Sequence, residues 1–259
     1  MRRAARRGVP MRSGALDQLN EMLLGGVGSL AGEIVIVPPP SLMSVPWAAM
    51  PSLAGRAISV CPSAELWARA AEMMAEKGRI TIAGGPDLAI AESEVEAVAG
   101  VYEEADLHRP GASVEEVRSS LEGTAVAHIA CHATFQYENP MFSSLRLGDG
   151  DLNVYDIERL KQPPSLVVLS ACDSGYTEAR AGSELAGLTS ALLSMGTRNV
   201  VASVGLVPDS PATSDLMVDF HRGLVGGLEP AKALAAAQEK AFDDPERFVS
   251  AASFICVGA

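Results

Sequence analysis

Two apolar runs constrain this chain more than anything else in it: Thr124 to Cys131, and Ser165 to Ala171 (SLVVLSA). Both are of strand length and nearly continuous in Val, Ile, Leu and Ala, the pattern of a strand buried on both faces. Each leads into small residues that carry one reactive side chain. His132 comes just past the first run, in AHIACHA, and Cys172 just past the second, in LSACDSG. Side chains at the carboxyl ends of parallel strands project into the crevice where open α/β sheets hold ligands. If the two strands are neighbours, an imidazole meets a thiol there. That is the minimum set for thiolate nucleophilic catalysis.

The rest of the chain supplies the sheet those strands need. Further strands are predicted at Glu33 to Val37, Ala57 to Cys61, Arg79 to Ala83, Ala105 to His108, Arg198 to Val204 and Ser253 to Val257. Helices are predicted over Leu16 to Leu24, from Ser63 to about Glu76, and over Ala91 to Tyr102 and Ser113 to Leu121. Val154 to Leu160 reads as a helical turn, followed by helices from Ser183 to Met195 and over 210–225 and 230–242. Ser113 with Glu116 three residues on is a capping box, and Ser143 to Leu147 reads as a β-ribbon. Strands alternating with helices predict an α/β protein with a mostly parallel sheet. Gly84-Gly85 follows a strand, but Pro86-Asp87 and the lack of a Gly-Lys-Ser/Thr ending argue against a phosphate loop.

Charge and hydropathy narrow the function classes. Residues 1–14 carry five Arg and no acid, and read as a disordered basic arm or a boundary inside a longer protein. Without that arm the net charge goes from −12 to −17, with 15 basic residues against 32 acidic ones. Such a surface repels nucleic acid, so no direct nucleic-acid binding is expected. No apolar run reaches the length of a membrane span, and no apolar segment follows the arm as in a secretory signal. The four cysteines, Cys61, Cys131, Cys172 and Cys256, form no CxxC pair, which points to reduced thiols and a cytoplasmic location.

The site residues have bland readings as well. An isolated cysteine is ordinarily an inert core residue. Cys172 departs from this because Ala-Cys-Asp-Ser-Gly turns polar and flexible at the thiol. Strand alternation puts His128, Ala130 and His132 on one face, with Ile129 and Cys131 on the other. His128 lies deeper, as a hydrogen-bonded core histidine, and His132 at the exit is the better base. His128, Cys131, His132 and Cys172 could in number form a zinc site, but Cys131 faces away from both histidines, so no metal is expected. An oxyanion hole needs two donors; the backbone N–H groups of Cys172 and Ala133 are the expected pair. Asp173 and Glu178, beside the nucleophile, are expected to border the substrate cleft.

HIACHATF followed by VVLSACDSGYTEARAGSELAGL resembles the CHAT domain, a branch of the caspase/separase-like cysteine peptidases of clan CD. VPPPSLMSVPWAAM, NVVASV and AASFICVG extend the resemblance from about Leu16 to the end. It implies a caspase-like three-layer fold over residues 15–259, with a non-catalytic half at about 30–122 and a catalytic half at 123–259. It also implies a Cys172–His132 dyad that cleaves a protein or peptide substrate through an acyl-enzyme, with no cofactor. A helical-repeat or other regulatory region N-terminal to the domain is a further implication. Glu184 matches the acid of the family's G-x-E block, where tying the nucleophile loop is its expected role. Asp209 matches the Asp of a W-x-V-x-D run and is expected at the cleft. This chain has Ala133 where the family generally has Gly, and Val204-Gly205-Leu206 without the Trp. The alternatives are a protease-dead interaction module of the same fold and a cysteine-dependent acyltransferase.

Overall fold

β-Branched and small apolar residues fill the strands, and the helices between them are amphipathic, so each helix covers one face of the sheet. The computed structural model describes residues 14–28, 30–74, 78–136, 138–173, 181–205, 207–242 and 244–259, with backbone alone at 171–173 and 181–184. The strands are β1 (Ile34–Ile36), β2 (Ile58–Val60), β3 (Ile80–Gly84), β4 (Asp106–His108), β5 (Val126–Thr134), β6 (Ser144–Arg146), β7 (Asp151–Asn153), β8 (Leu166–Asp173), β9 (Asn199–Ser203) and β10 (Phe254–Gly258). The helices are α1 (Gly14–Leu24), α2 (Ala64–Glu72), α3 (Ala91–Ala99), α4 (Val114–Ser120), α5 (Val154–Glu158), α6 (Ala181–Met195), α7 (Pro211–Val225), α8 (Pro230–Phe242) and α9 (Pro245–Ser253).

The described strands form one sheet in the order β1-β2-β10-β9-β8-β5-β3-β4, and β6 and β7 extend it as a ribbon from the end of β5. Strands β9, β8, β5, β3 and β4 run parallel to one another. Strands β1, β2 and β10 are also mutually parallel, and β10 joins the larger set through an antiparallel pairing with β9. The sheet is thus mostly parallel. Strands from residues 30–122 lie at both edges, and those of the later half lie between them.

Alternation along the strands gives two separate cores. Ala127, Ile129, Cys131, Val167 and Leu169 face a layer that includes residues of α4, α5 and α6. Ala130, Leu166, Val168 and Val201 face α3, α7, α8 and α9. Helix, sheet, helix makes three layers, as the resemblance implied.

Several boundaries differ from the sequence expectation. Strand β5 runs on to Thr134, because β6 pairs with Ala133 and Thr134. Strand β8 runs on to Asp173, with Asp173 opposite Ala133. His132 and Cys172 therefore belong to the last residues of their strands instead of following them. Helix α2 stops at Glu72, where Met73 turns extended. Helix α9 was not expected from the sequence. Its signal is Asp244-Pro245-Glu246: the Asp244 carboxylate accepts from the Glu246 N–H, and Pro245 holds a first-turn position where its missing N–H costs nothing.

The central strands set the stability of the whole. Ile129 is 1 % exposed and sits mid-strand between two parallel neighbours. Ile129→Ala is expected to cost about 2–5 kcal/mol by chemical denaturation. Val225→Ala, on the exposed end of α7, should stay within roughly 0.5 kcal/mol of the parent.

Candidate active site

Strands β5 and β8 are adjacent and parallel, so residues that are partners in register lie side by side. The pairing runs from Val126 with Leu166 to Ala133 with Asp173, and it sets His132 directly opposite Cys172. Both lie at the carboxyl ends of their strands, where the crevice of such a sheet opens. The Cys172 side chain lies outside the described residues, as do the side chains of Asp173 and Glu184 and the whole of Glu178. Positions 130, 132, 170 and 172 share one face by strand alternation and register.

His132 is partly exposed, and its Nε2 lies 3.2 Å from the carbonyl oxygen of Asp87. A carbonyl only accepts, so Nε2 carries the proton and Nδ1 is left as the basic nitrogen. Asp87 follows β3, two residues past Gly85. Its φ of +64° is the one positive value at a non-glycine among the described residues. Asp tolerates this left-handed conformation better than most residues, but the strain persists only where the surroundings enforce it. They do so from both sides. Gly85 donates its N–H to the Ala130 carbonyl at 2.8 Å and lies so close to β5 that a Cβ there would collide with Cys131 Cβ and the Arg146 carbonyl oxygen. Downstream, the Asp209 carboxylate accepts from the N–H groups of Ala89 at 2.7 Å and Ile90 at 3.2 Å, clamping the entry to α3. The Gly84-Gly85 pair thus serves close packing.

A cavity of about 240 Å³ opens beside His132 between the loops that follow β3 and β9. Ala130 and Ser170 form part of its floor, and Asp87, Glu94 and Asp209 line it as well. Asp209 is therefore at the cleft, but both of its oxygens already accept backbone N–H groups. Ala133 is buried in the ladder, between Leu145 of β6 and Asp173 of β8.

His128 is fully buried, with Nε2 3.2 Å from Glu94 Oε1 and Nδ1 3.1 Å from Nε2 of His221. His221 Nδ1 is 2.6 Å from the hydroxyl of Tyr102. Desolvation, and then the neighbouring His128, holds His221 well below the usual histidine range. Sequence reasoning missed Glu94, His221 and Tyr102. A signal existed: Glu94 shares the inward face of α3 with Ala91, Val95 and Val98, and His221 that of α7 with Met217 and Phe220.

The three described thiols are all buried. Cys131 lies in the core on the far face of the sheet from His128, and burial raises its thiol to about 12. Cys256 is likewise raised to about 12 by burial, and burial raises Cys61 too. Such thiols are poor nucleophiles and poor metal ligands. Cys131 cannot join the two histidines at one ion from that position.

Gly85→Ala tests how His132 is held. The added methyl must push the loop away from β5, costing about 1–3 kcal/mol and shifting Asp87 from His132. The imidazole ¹⁵N signals of His132 should show the Nε2–H tautomer in the parent and a mixture in the variant. Unchanged signals would mean the Asp87 carbonyl does not set the tautomer.

The comparisons with known proteins bear on the whole domain. Among curated proteins no match was found. Among solved structures, two of the Saccharomyces cerevisiae separase–securin complex match with TM-scores of 0.61 and 0.63 at 16% and 15% identity. Each alignment covers 88% of this chain, which spans 16% and 15% of the respective separase chains. The Arg-specific cysteine proteinase gingipain R matches with a TM-score of 0.55 at 13% identity, over 96% of this chain and 68% of its own. At such identities the likeness is one of fold, and the fold is that of the caspase-like peptidases. The CHAT domain family matches residues 14–259, and the chain belongs to that family.

Proposed function

We propose that this domain is a cysteine endopeptidase in which Cys172 is the nucleophile and His132 the base. The observation that carries the reading is the register of two adjacent parallel strands, which pairs His132 with Cys172 at the mouth of a cleft. The tether of His132 Nε2 to the Asp87 carbonyl supports it, since Nδ1 is then the nitrogen that takes the thiol proton.

In this mechanism the thiolate attacks the scissile carbonyl carbon, and the developing oxyanion is held by the N–H groups of Cys172 and Ala133. Ala133 is flanked by β6 and β8, so the sheet competes for that donor. His132 then gives its Nδ1 proton to the leaving amine as the C–N bond breaks, leaving a thioester. A water, deprotonated by His132, attacks the thioester carbonyl, and the peptide acid leaves as the thiol regains its proton. The Asp87 carbonyl accepts from Nε2–H throughout and stabilises the imidazolium when it forms. No step needs a cofactor or a metal.

The substrate in this reading is a protein or peptide with a basic residue on the amino side of the scissile bond. The described residues lining the cleft include three acids and no Lys or Arg. A carboxylate there pairs with a guanidinium or ammonium through a charge-assisted hydrogen bond, and the body of the protein is acidic. The gingipain neighbour is itself described as Arg specific. Asp173 and Glu178, next to the nucleophile, remain proposed rim residues, with Glu184 tying the nucleophile loop. The proposed setting is cytoplasmic, with a regulatory region joined before α1. No helix among the described residues is long and apolar enough to cross a membrane.

Cleavage in a candidate host lysate, read by terminal proteomics, tests the assignment. Cys172→Ala and His132→Ala should each lower turnover by roughly 10⁴-fold or more, and the double variant should be little worse, because the pair acts as a unit. Cys61→Ala and Cys131→Ala should keep it. Full activity in Cys172→Ala would refute the peptidase, whereas no cleavage by the parent would favour an interaction module. A positional-scanning peptide library should show Arg and Lys ahead of Leu and Met; turnover of Leu or Met with Arg ignored would refute the basic preference.

A further inference from the structure

The cleft beside His132 contains a charged side chain that the dyad does not use. Glu94 is 3 % exposed, yet it lines the cavity. One carboxylate oxygen, Oε1, faces His128. The other has no hydrogen-bond partner among the described residues. That oxygen is not among the buried polar atoms left without a partner, so it faces the open cavity, where a cation can reach it. Asp209 cannot substitute for it, since its oxygens accept the Ala89 and Ile90 amides.

Behind Glu94 runs a chain of buried groups whose proton positions can be assigned. Burial raises the Tyr102 hydroxyl, so it stays protonated, and it can donate to His221 Nδ1. With Tyr102 donating to Nδ1, the proton of the neutral His221 sits on Nε2, which donates to His128 Nδ1. The proton of His128 is then on Nε2 and is donated to Glu94 Oε1. Every bond points the same way, every ring nitrogen is satisfied, and the last acceptor is the carboxylate at the cleft. The chain ties α3, β5 and α7 together, and its groups are held by packing. Phe220 and Tyr102 lie edge-on to the His221 ring, and His221 edge-on to that of His128.

We propose that Glu94 is the residue that receives a cationic substrate side chain in this cleft, and that Tyr102, His221 and His128 are the positioning residues that hold it as an acceptor. The cation is a guanidinium or ammonium entering beside His132, and it pairs with the open Glu94 oxygen. Fixing the carboxylate beforehand means less freedom is lost when the cation binds. Asp87 and Asp209 at the rim add field without direct contact. The assignment deepens the peptidase reading by naming the residue that selects the substrate, and it rests on that reading only for which residue of the peptide enters.

Agmatine, a guanidinium with no peptide bond, gives a test independent of catalysis. It is titrated by calorimetry against the full chain carrying Cys172→Ala, and against the same protein with Glu94→Gln or Tyr102→Phe added. Butylurea, neutral and of similar shape, is the control. Agmatine should bind and butylurea should not. Glu94→Gln, which keeps an acceptor for His128 but removes the charge, should weaken agmatine by about ten- to a hundredfold. Tyr102→Phe leaves the cleft wall intact and should weaken it by a smaller factor; it carries the test alone if circular dichroism shows that Glu94→Gln does not fold. If Glu94 is only structural, its variant melts lower while agmatine affinity is unchanged, and the inference is overturned. Equal binding of butylurea, or no binding of agmatine, overturns it as well. Labelling of Cys172 in the parent by peptidyl acyloxymethyl ketones ending in Arg or Leu separates the two claims. No labelling by either ketone overturns the peptidase and leaves the agmatine result standing. Equal labelling by both, unchanged in Glu94→Gln, overturns the role of Glu94 and leaves the peptidase standing.

Discussion

The pairing of β5 with β8 is the constraint from which the rest of the site follows. Side chains alternate with a period of two along a strand, so a one-residue slip would turn His132 toward the opposite core and Cys131 toward the cleft. The register is strongly specified because both faces are buried. Ile129 and Leu169 are matched on one side, and Ala130 and Ser170 on the other. Apolar burial of this kind is worth roughly 1.5–3 kcal/mol per large side chain. The same packing that stabilises the sheet therefore brings His132 and Cys172 opposite each other.

Around that pair, the neighbouring strands supply the polar geometry. The loop after β3 carries the Asp87 carbonyl to His132 in a strained conformation, and Asp209, from the loop after β9, holds that loop in place. Two elements far apart in sequence thus fix one hydrogen bond to His132. Below them lies a run of buried polar groups from Tyr102 to Glu94 within an otherwise apolar core. A half-satisfied network would be worse than an apolar core. This one is satisfied along its length and leaves only its cleft end open, which links its stability to whatever occupies the cleft.

The strands were legible because β5 and β8 are continuous apolar runs, and alternation put His128 and His132 on one face with Cys131 on the other. Their pairing was not legible in the same way, since periodicity does not order strands that are distant in sequence. The ends were also short, by three residues in β5 and two in β8; the ribbon β6 that extends β5 is recruited from a later segment. Asp209 was expected as a cleft acid on the strength of a resemblance. It lines the cavity beside His132, and its oxygens hold amides that no local pattern could reveal. Glu94 and His221 showed only as polar residues on inward helix faces. That they meet through His128 depends on α3 and α7 covering the same face of the sheet.

The central claim is that the register makes Cys172 a nucleophile activated by His132. Mass spectrometry of the intact protein after reaction with a peptidyl acyloxymethyl ketone reads this most directly. The account predicts one thioether adduct per chain, mapped to Cys172, and its loss in His132→Ala, with Cys61, Cys131 and Cys256 unmodified. An adduct that persists in His132→Ala at the parent rate, or that maps to one of the buried cysteines, would contradict it.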